Sequence, residues 1–194
     1  MESSPPPGYG KIAEIVLTRR SAVRIQVLSL VLGVGTLFLL LLAAGPLSFT
    51  ISPAELGLLL ALLAATLGVV VLHEWIHWLA YSLAGLHPRF GAGFVHGMPV
   101  LSTSVARPYG RTPALVGLLA PLVLIDALLL AASAVVPDLF TWTIVPIAVN
   151  TGGSAGDLWQ AARLARCPPA VMVADRPDGL VVYGPPGGTE SRGP

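Results

Sequence analysis

The chain has 194 residues, 54% of them hydrophobic and only 11% charged, with a net charge of +1. That is too apolar for a soluble or disordered chain of this length, and the absence of a basic run argues against a nucleic-acid partner. One cysteine, Cys167, excludes an intramolecular disulfide, so stability does not depend on an oxidising compartment.

Four segments, 24–45, 54–84, 113–136 and 140–164, are long enough to cross a bilayer core of ~30 Å, which takes about 20 helical residues. The expected fold is an all-α membrane protein of about four transmembrane helices. A short β-hairpin-like loop, cytoplasmic or re-entrant, and a small C-terminal hairpin complete it. The expected division is a cytoplasmic N-terminal segment (1–23), a four-helix transmembrane domain (24–166) and a cytoplasmic tail (167–194).

Residues 1–10 are rich in Pro, Gly and Ser and read as disordered; the following KIAEIVLTRR reads as a short helix on the membrane surface. Span one is an anchoring and packing helix. Its apolar run exceeds a signal-peptide core, and a polar leader precedes it, so it reads as a retained span.

Span two opens with Ser52-Pro53-Ala54-Glu55, a capping box with proline at the first helical position. About 20 residues on, or roughly 30 Å along the helix axis, comes His73-Glu74-Trp75-Ile76-His77, which therefore lies towards the far leaflet. Histidines four apart on a helix point the same way and can share one Zn²⁺, and the glutamate beside the first can act as general base on a metal-activated water. Ionisable side chains inside an apolar span are expensive, which favours a site over chance. Trp75 and Trp78 suit an interfacial depth.

The segment 86–112 reads as two strands, RFGAGFV and PVLSTSVAR, around His96-Gly97-Met98, an edge with which an extended peptide can pair. His96 is an outlying candidate ligand, and His87 is read as structural. Span three carries Asp126 near mid-membrane, read as an interhelical bond, with Pro121 as a kink. Span four runs from Asp138 through Pro146, a second expected kink, to Asn150-Thr151-Gly152-Gly153-Ser154-Ala155-Gly156-Asp157. Asp157 lies about 19 residues from its outer cap, the depth of His73 and His77, and is the candidate third ligand. Asn150, on the face of Asp157, is a candidate donor to the substrate or oxyanion. In the tail, AVMVA and LVVY around Asp175-Arg176-Pro177-Asp178-Gly179 form a hairpin pattern, and the last residues read as disordered.

All 11 Lys and Arg lie before span one, between spans two and three, or at and after the end of span four. By the positive-inside rule both termini and the 86–112 loop are cytoplasmic, giving a multi-pass protein of the cell membrane whose partners are membrane lipid and a membrane-protein or peptide substrate.

The HEWIH motif in one span, with an aspartate two spans later in a Gly/Ser-rich helix, resembles the site-2 protease type of intramembrane metallopeptidase. The full layout, with the strand-like loop, Ala120-Pro121 and the run from Asn150 to Asp157, more closely resembles the zincin-type peptidase family of small integral-membrane proteins, over roughly 55–185. The resemblance implies zinc and peptide hydrolysis, with His73 and His77 as ligands and Glu74 as base. The context Ala155-Gly156-Asp157-Leu158 departs from the Asn-Pro-Asp-Gly or Leu-Asp-Gly usual in site-2 proteases, so Asp157 rests on its depth. The competing readings are a non-catalytic metal-binding scaffold or sensor, and a structural protein whose polar residues glue helices.

Overall fold

A computed structural model describes residues 7–45, 53–95 and 98–186. Among the described residues, three helices are long and apolar enough to cross a membrane: α1 (Arg19–Ala44), α2 (Pro53–Leu83) and α3 (Arg111–Val135). Their surfaces carry large apolar side chains that no protein covers, among them Val27 and Leu30 on α1, Leu59, Leu63 and Leu67 on α2 and Leu128 on α3. Helices apolar on all sides need a solvent as apolar as themselves. This is the pattern of a membrane protein.

The expected fourth span, 140–164, is instead two helices, α4 (Phe140–Gly153, 14 residues) and α5 (Ala155–Leu164, 10 residues), after a single 3₁₀ turn at Pro137–Leu139. Pro146 lies within α4, so the expected proline does not make the break. The break follows Gly152-Gly153, where two poor helix formers adjoin a serine. Both the Ser154 backbone N–H (3.0 Å) and its hydroxyl (2.8 Å) donate to the Asn150 carbonyl and close the helix there. Asp157 then falls in the first turn of α5 and Arg163 in its last, the order that complements the helix dipole.

The contacts divide the chain into two compact units, the first made of Met1–Arg24, Glu74–Ala120 and Asp157–Pro194, the second of Ile25–His73 and Pro121–Gly156. The first holds the six strands found among the described residues: β1 (Gly10–Val16), β2 (Pro88–Val95), β3 (Met98–Val105), β4 (Tyr109–Gly110), β5 (Met172–Arg176) and β6 (Gly179–Gly184). β2 and β3 form the expected two-stranded hairpin, with Phe90 opposite Thr103; the turn residues His96 and Gly97 lie outside the described residues. Trp78 of α2 stacks on Phe90 at 6.1 Å between centroids.

The expected tail hairpin is also present as β5–β6, but it belongs to a four-stranded sheet ordered β1-β6-β5-β4. Here two expectations change. The segment read as a surface helix is strand β1, antiparallel to β6 with Glu14 opposite Val181, and the fold is therefore not all-α. Its isoleucine and valine favour a strand once a partner is available, and the partner lies at the far end of the chain. Val173 and Val182, both at 0% exposure, Leu180 and Ile15 pack with Tyr81, Ala114 and Leu164 in the core. Burying each such aliphatic side chain contributes about 1.5–3 kcal/mol. Gly179 closes the β5–β6 turn at φ +144°, and a Cβ there would overlap the Ile15 carbonyl oxygen.

Two polar clamps hold this unit. Arg111, at the start of α3, donates to the carbonyls of Leu164 (3.1 Å) and Ala165 (2.6 Å), capping the C-terminus of α5. Asp175 accepts from the Val105 N–H and the Tyr109 hydroxyl, each at 2.6 Å, tying β5 to the end of β3.

In the second unit α1 and α4 approach through small residues: a Cβ at Gly152 would meet the Ser29 carbonyl oxygen at 3.0 Å and the Gly33 Cα at 3.2 Å. Ser133 and Thr143 share a hydrogen bond of 2.8 Å. Asp126 is bonded across helices as expected, accepting from Asn150 and Thr151 of α4. The span-two cap at Ser52, the first six residues and the last eight lie outside the described residues, although α2 does begin at Pro53.

Candidate metal centre

One turn of α2 carries His73, Glu74 and His77, whose ligand atoms lie within 4.8 Å of one another. The i, i+4 spacing that predicts a shared face is realised in an unbroken helix. His77 is buried at 5% exposure, while His73 and Glu74 are partly buried.

Whether a histidine can ligate through Nε2 depends on where its proton resides, and that is set by what Nδ1 touches. His77 Nδ1 lies 2.8 Å from the carbonyl oxygen of Gly117. A carbonyl only accepts, so Nδ1 carries a hydrogen, and in the neutral ring Nε2 then holds the lone pair. His73 Nδ1 lies 2.9 Å from Asn150 Oδ1. The amide orientation is fixed by its other end, where Nδ2 donates to Asp126 Oδ1 (2.9 Å) and Pro121 O (3.4 Å). The oxygen therefore faces His73, and here too Nδ1 donates.

Asp157 presents Oδ2 at 3.5 Å from His77 Nε2, with its side chain 18% exposed. Two ligands each about 2.0–2.1 Å from a tetrahedral zinc stand roughly 3.3 Å apart. Imidazoles and carboxylates suit zinc chemically, and the group whose ligand atoms lie mutually within reach is His73, Glu74 and His77.

Glu74 is held from the hairpin. The Thr103 hydroxyl of β3 lies 3.1 Å from the Glu74 carbonyl oxygen and 3.4 Å from Oε2, a donor shared between backbone and carboxylate.

The structure thus brings His73, Glu74 and His77 together on one helical turn and Asp157 against His77. Asn150 takes a different place from the one read in the sequence. At 3% exposure its amide donors go to Asp126 and Pro121 and its oxygen to the His73 ring. Gly117, Asp126 and Thr103 are the residues that sequence reasoning left out of the site. For Gly117 a signal exists: Pro121 lacks the N–H that would occupy the carbonyl four residues earlier.

A family model described as "Putative zincin peptidase" (DUF3267) matches residues 66–172, which include both histidines, Glu74 and Asp157. No curated protein and no solved structure matches the chain.

Proposed function

The chain belongs to the zincin peptidase family, and from that premise we propose that it is a membrane-embedded, zinc-dependent endopeptidase of the site-2 protease type. The observation that carries the proposal is the pairing of both Nδ1–H groups, at 2.8 and 2.9 Å, which presents two Nε2 lone pairs on one helical turn beside a carboxylate.

In this reading His73, His77 and Asp157 would hold one Zn²⁺, and the ion would supply polarisation of the scissile carbonyl and a water whose pKa is lowered towards ~7. Glu74 takes the proton from the attacking water and delivers it to the leaving amine. Thr103 holds the Glu74 carboxylate in place, and Asn150 holds the His73 ring. The substrate is a membrane or membrane-proximal polypeptide, paired in extended form with an open edge of the β2–β3 hairpin. The protein is multi-pass in the cell membrane, with both termini cytoplasmic because the arginines and lysine cluster on that side.

Detergent-purified protein should contain about one zinc per chain, retained in Glu74→Gln and strongly reduced in His77→Ala. Membranes carrying Glu74→Gln should lose proteolytic products that the wild type makes. Zinc at background in the wild type sinks the proposal. Zinc present with identical peptide profiles favours instead a metal-binding scaffold or sensor, for which Glu74 is dispensable.

A further inference from the structure

Pro121 sits inside α3, and a proline in a helix interior removes one rung of the ladder, the bond from its own N–H to the carbonyl four residues earlier. That carbonyl belongs to Gly117. It is the same oxygen that accepts the Nδ1–H of His77 at 2.8 Å. Gly117 also lies against the α2 side chains: a Cβ there would overlap the Tyr81 ring, and Tyr81 follows His77 by one turn of α2. The two features meet at one residue: the missing side chain makes room for Tyr81, one turn beyond His77, and the missing N–H leaves the Gly117 carbonyl to His77.

We infer that Pro121 is a positioning residue for the candidate metal centre: by withholding the helix's own donor from Gly117 O, it reserves that acceptor for His77 and fixes the imidazole with Nδ1 protonated and Nε2 as the ligating atom. In an uninterrupted helix the residue 121 N–H would compete for the same oxygen, along the axis and at no cost in burial. His77 would then have a weaker partner for Nδ1, and the alternative tautomer, with hydrogen on Nε2, cannot ligate through that atom. A residue that weakens a helix thereby stands at a position where its defect sets the state of the His77 ring.

The significance for zinc rests on the peptidase reading above; the effect on the His77 proton does not. The test therefore has two readouts in full-length protein in detergent. In zinc-free protein at mildly alkaline pH, ¹⁵N chemical shifts of the imidazoles, assigned with His77→Gln, report the tautomer. Wild type should show the Nδ1–H form at His77, and Pro121→Ala should raise the Nε2–H form. Zinc affinity, measured by competition with a chelating dye, should fall about tenfold in Pro121→Ala, with a melting temperature equal to or above wild type. A second variant keeps Pro121 and replaces Leu118 by its α-hydroxy analogue, which turns the Gly117 carbonyl into a weakly accepting ester; it should shift the His77 tautomer in the same direction, and it decides the matter where Pro121→Ala does not fold. An unchanged His77 tautomer in a folded variant of either kind overturns the inference. Wild-type protein that binds no zinc overturns the peptidase reading, while the tautomer measurement still decides the role of Pro121.

Discussion

His73 donates its Nδ1 hydrogen to Asn150 Oδ1 across 2.9 Å, and Asn150 is itself anchored through Nδ2 to the Asp126 carboxylate at 2.9 Å. Two side chains from two other helices thus hold the ring of the first motif histidine. The amide between them passes orientation from the carboxylate to the ring.

This relation predicts a divided outcome for two neighbouring substitutions. Asn150→Ala removes the acceptor of His73 and should lower zinc affinity by about 10- to 100-fold, the usual effect of losing a partner behind a ligand. Thr151→Val removes the other donor to Asp126, at 2.8 Å, and leaves His73 as it was. It should cost about 1 kcal/mol in stability with zinc affinity unchanged. Chelator competition and thermal melting on the same preparations check both; equal zinc affinity in Asn150→Ala and wild type would refute the orienting role.

The parts of this arrangement differ in how far the sequence disclosed them. His73, Glu74 and His77 were legible because the chemistry and the helical period coincide within five residues. Asp157 was legible only through depth, and the structure places its carboxylate beside His77 although the helix assumed to carry it is broken at Ser154. Asn150 was found but misdirected, because an amide has two ends and only the tertiary positions of Asp126, Pro121 and His73 decide which faces which. Strand β1 could not be read locally: Glu14 pairs opposite Val181, so the choice between strand and surface helix is made by residues at the other end of the chain. The β2–β3 and β5–β6 hairpins were readable because their partners are neighbours in sequence and their turns carry glycine.

Thr103 links the hairpin to the proposed base. Its hydroxyl lies within reach of both the Glu74 carbonyl (3.1 Å) and the carboxylate (3.4 Å), so β3 is fastened to the motif by one side chain. Thr103→Val keeps the shape and β-branching and deletes the donor. Loss of one neutral hydrogen bond is worth about 1 kcal/mol, or roughly a fivefold change. Peptidase turnover should fall by about that factor while zinc content and affinity stay at wild-type levels. A parallel fall in zinc content would show that the residue acts on the metal and not on Glu74.

Asp175 gives a pH dependence that originates outside the apolar helices. Burial raises its carboxyl above the ordinary range, and this outweighs the two hydrogen bonds that favour the charged form, from the Tyr109 hydroxyl and the Val105 N–H. The unfolded chain releases this proton at about pH 4. Below that pH both states hold it and Asp175 adds no slope. As pH rises towards the higher folded value, the native state still holds the proton that the unfolded chain has released, so the native state binds more and stability declines. The contribution is fully present below the unfolded value and is lost as pH climbs through the folded one. Asp175→Asn cannot titrate and retains an acceptor, so the difference in melting temperature between wild type and Asp175→Asn should move against wild type from pH 4 upward and level off above the folded value. Melting of the two proteins in parallel across that range, with hydrogen exchange at the β5 amides locating the effect, provides the measurement; a difference that stays constant or moves in favour of wild type would mean that burial does not hold the proton on Asp175.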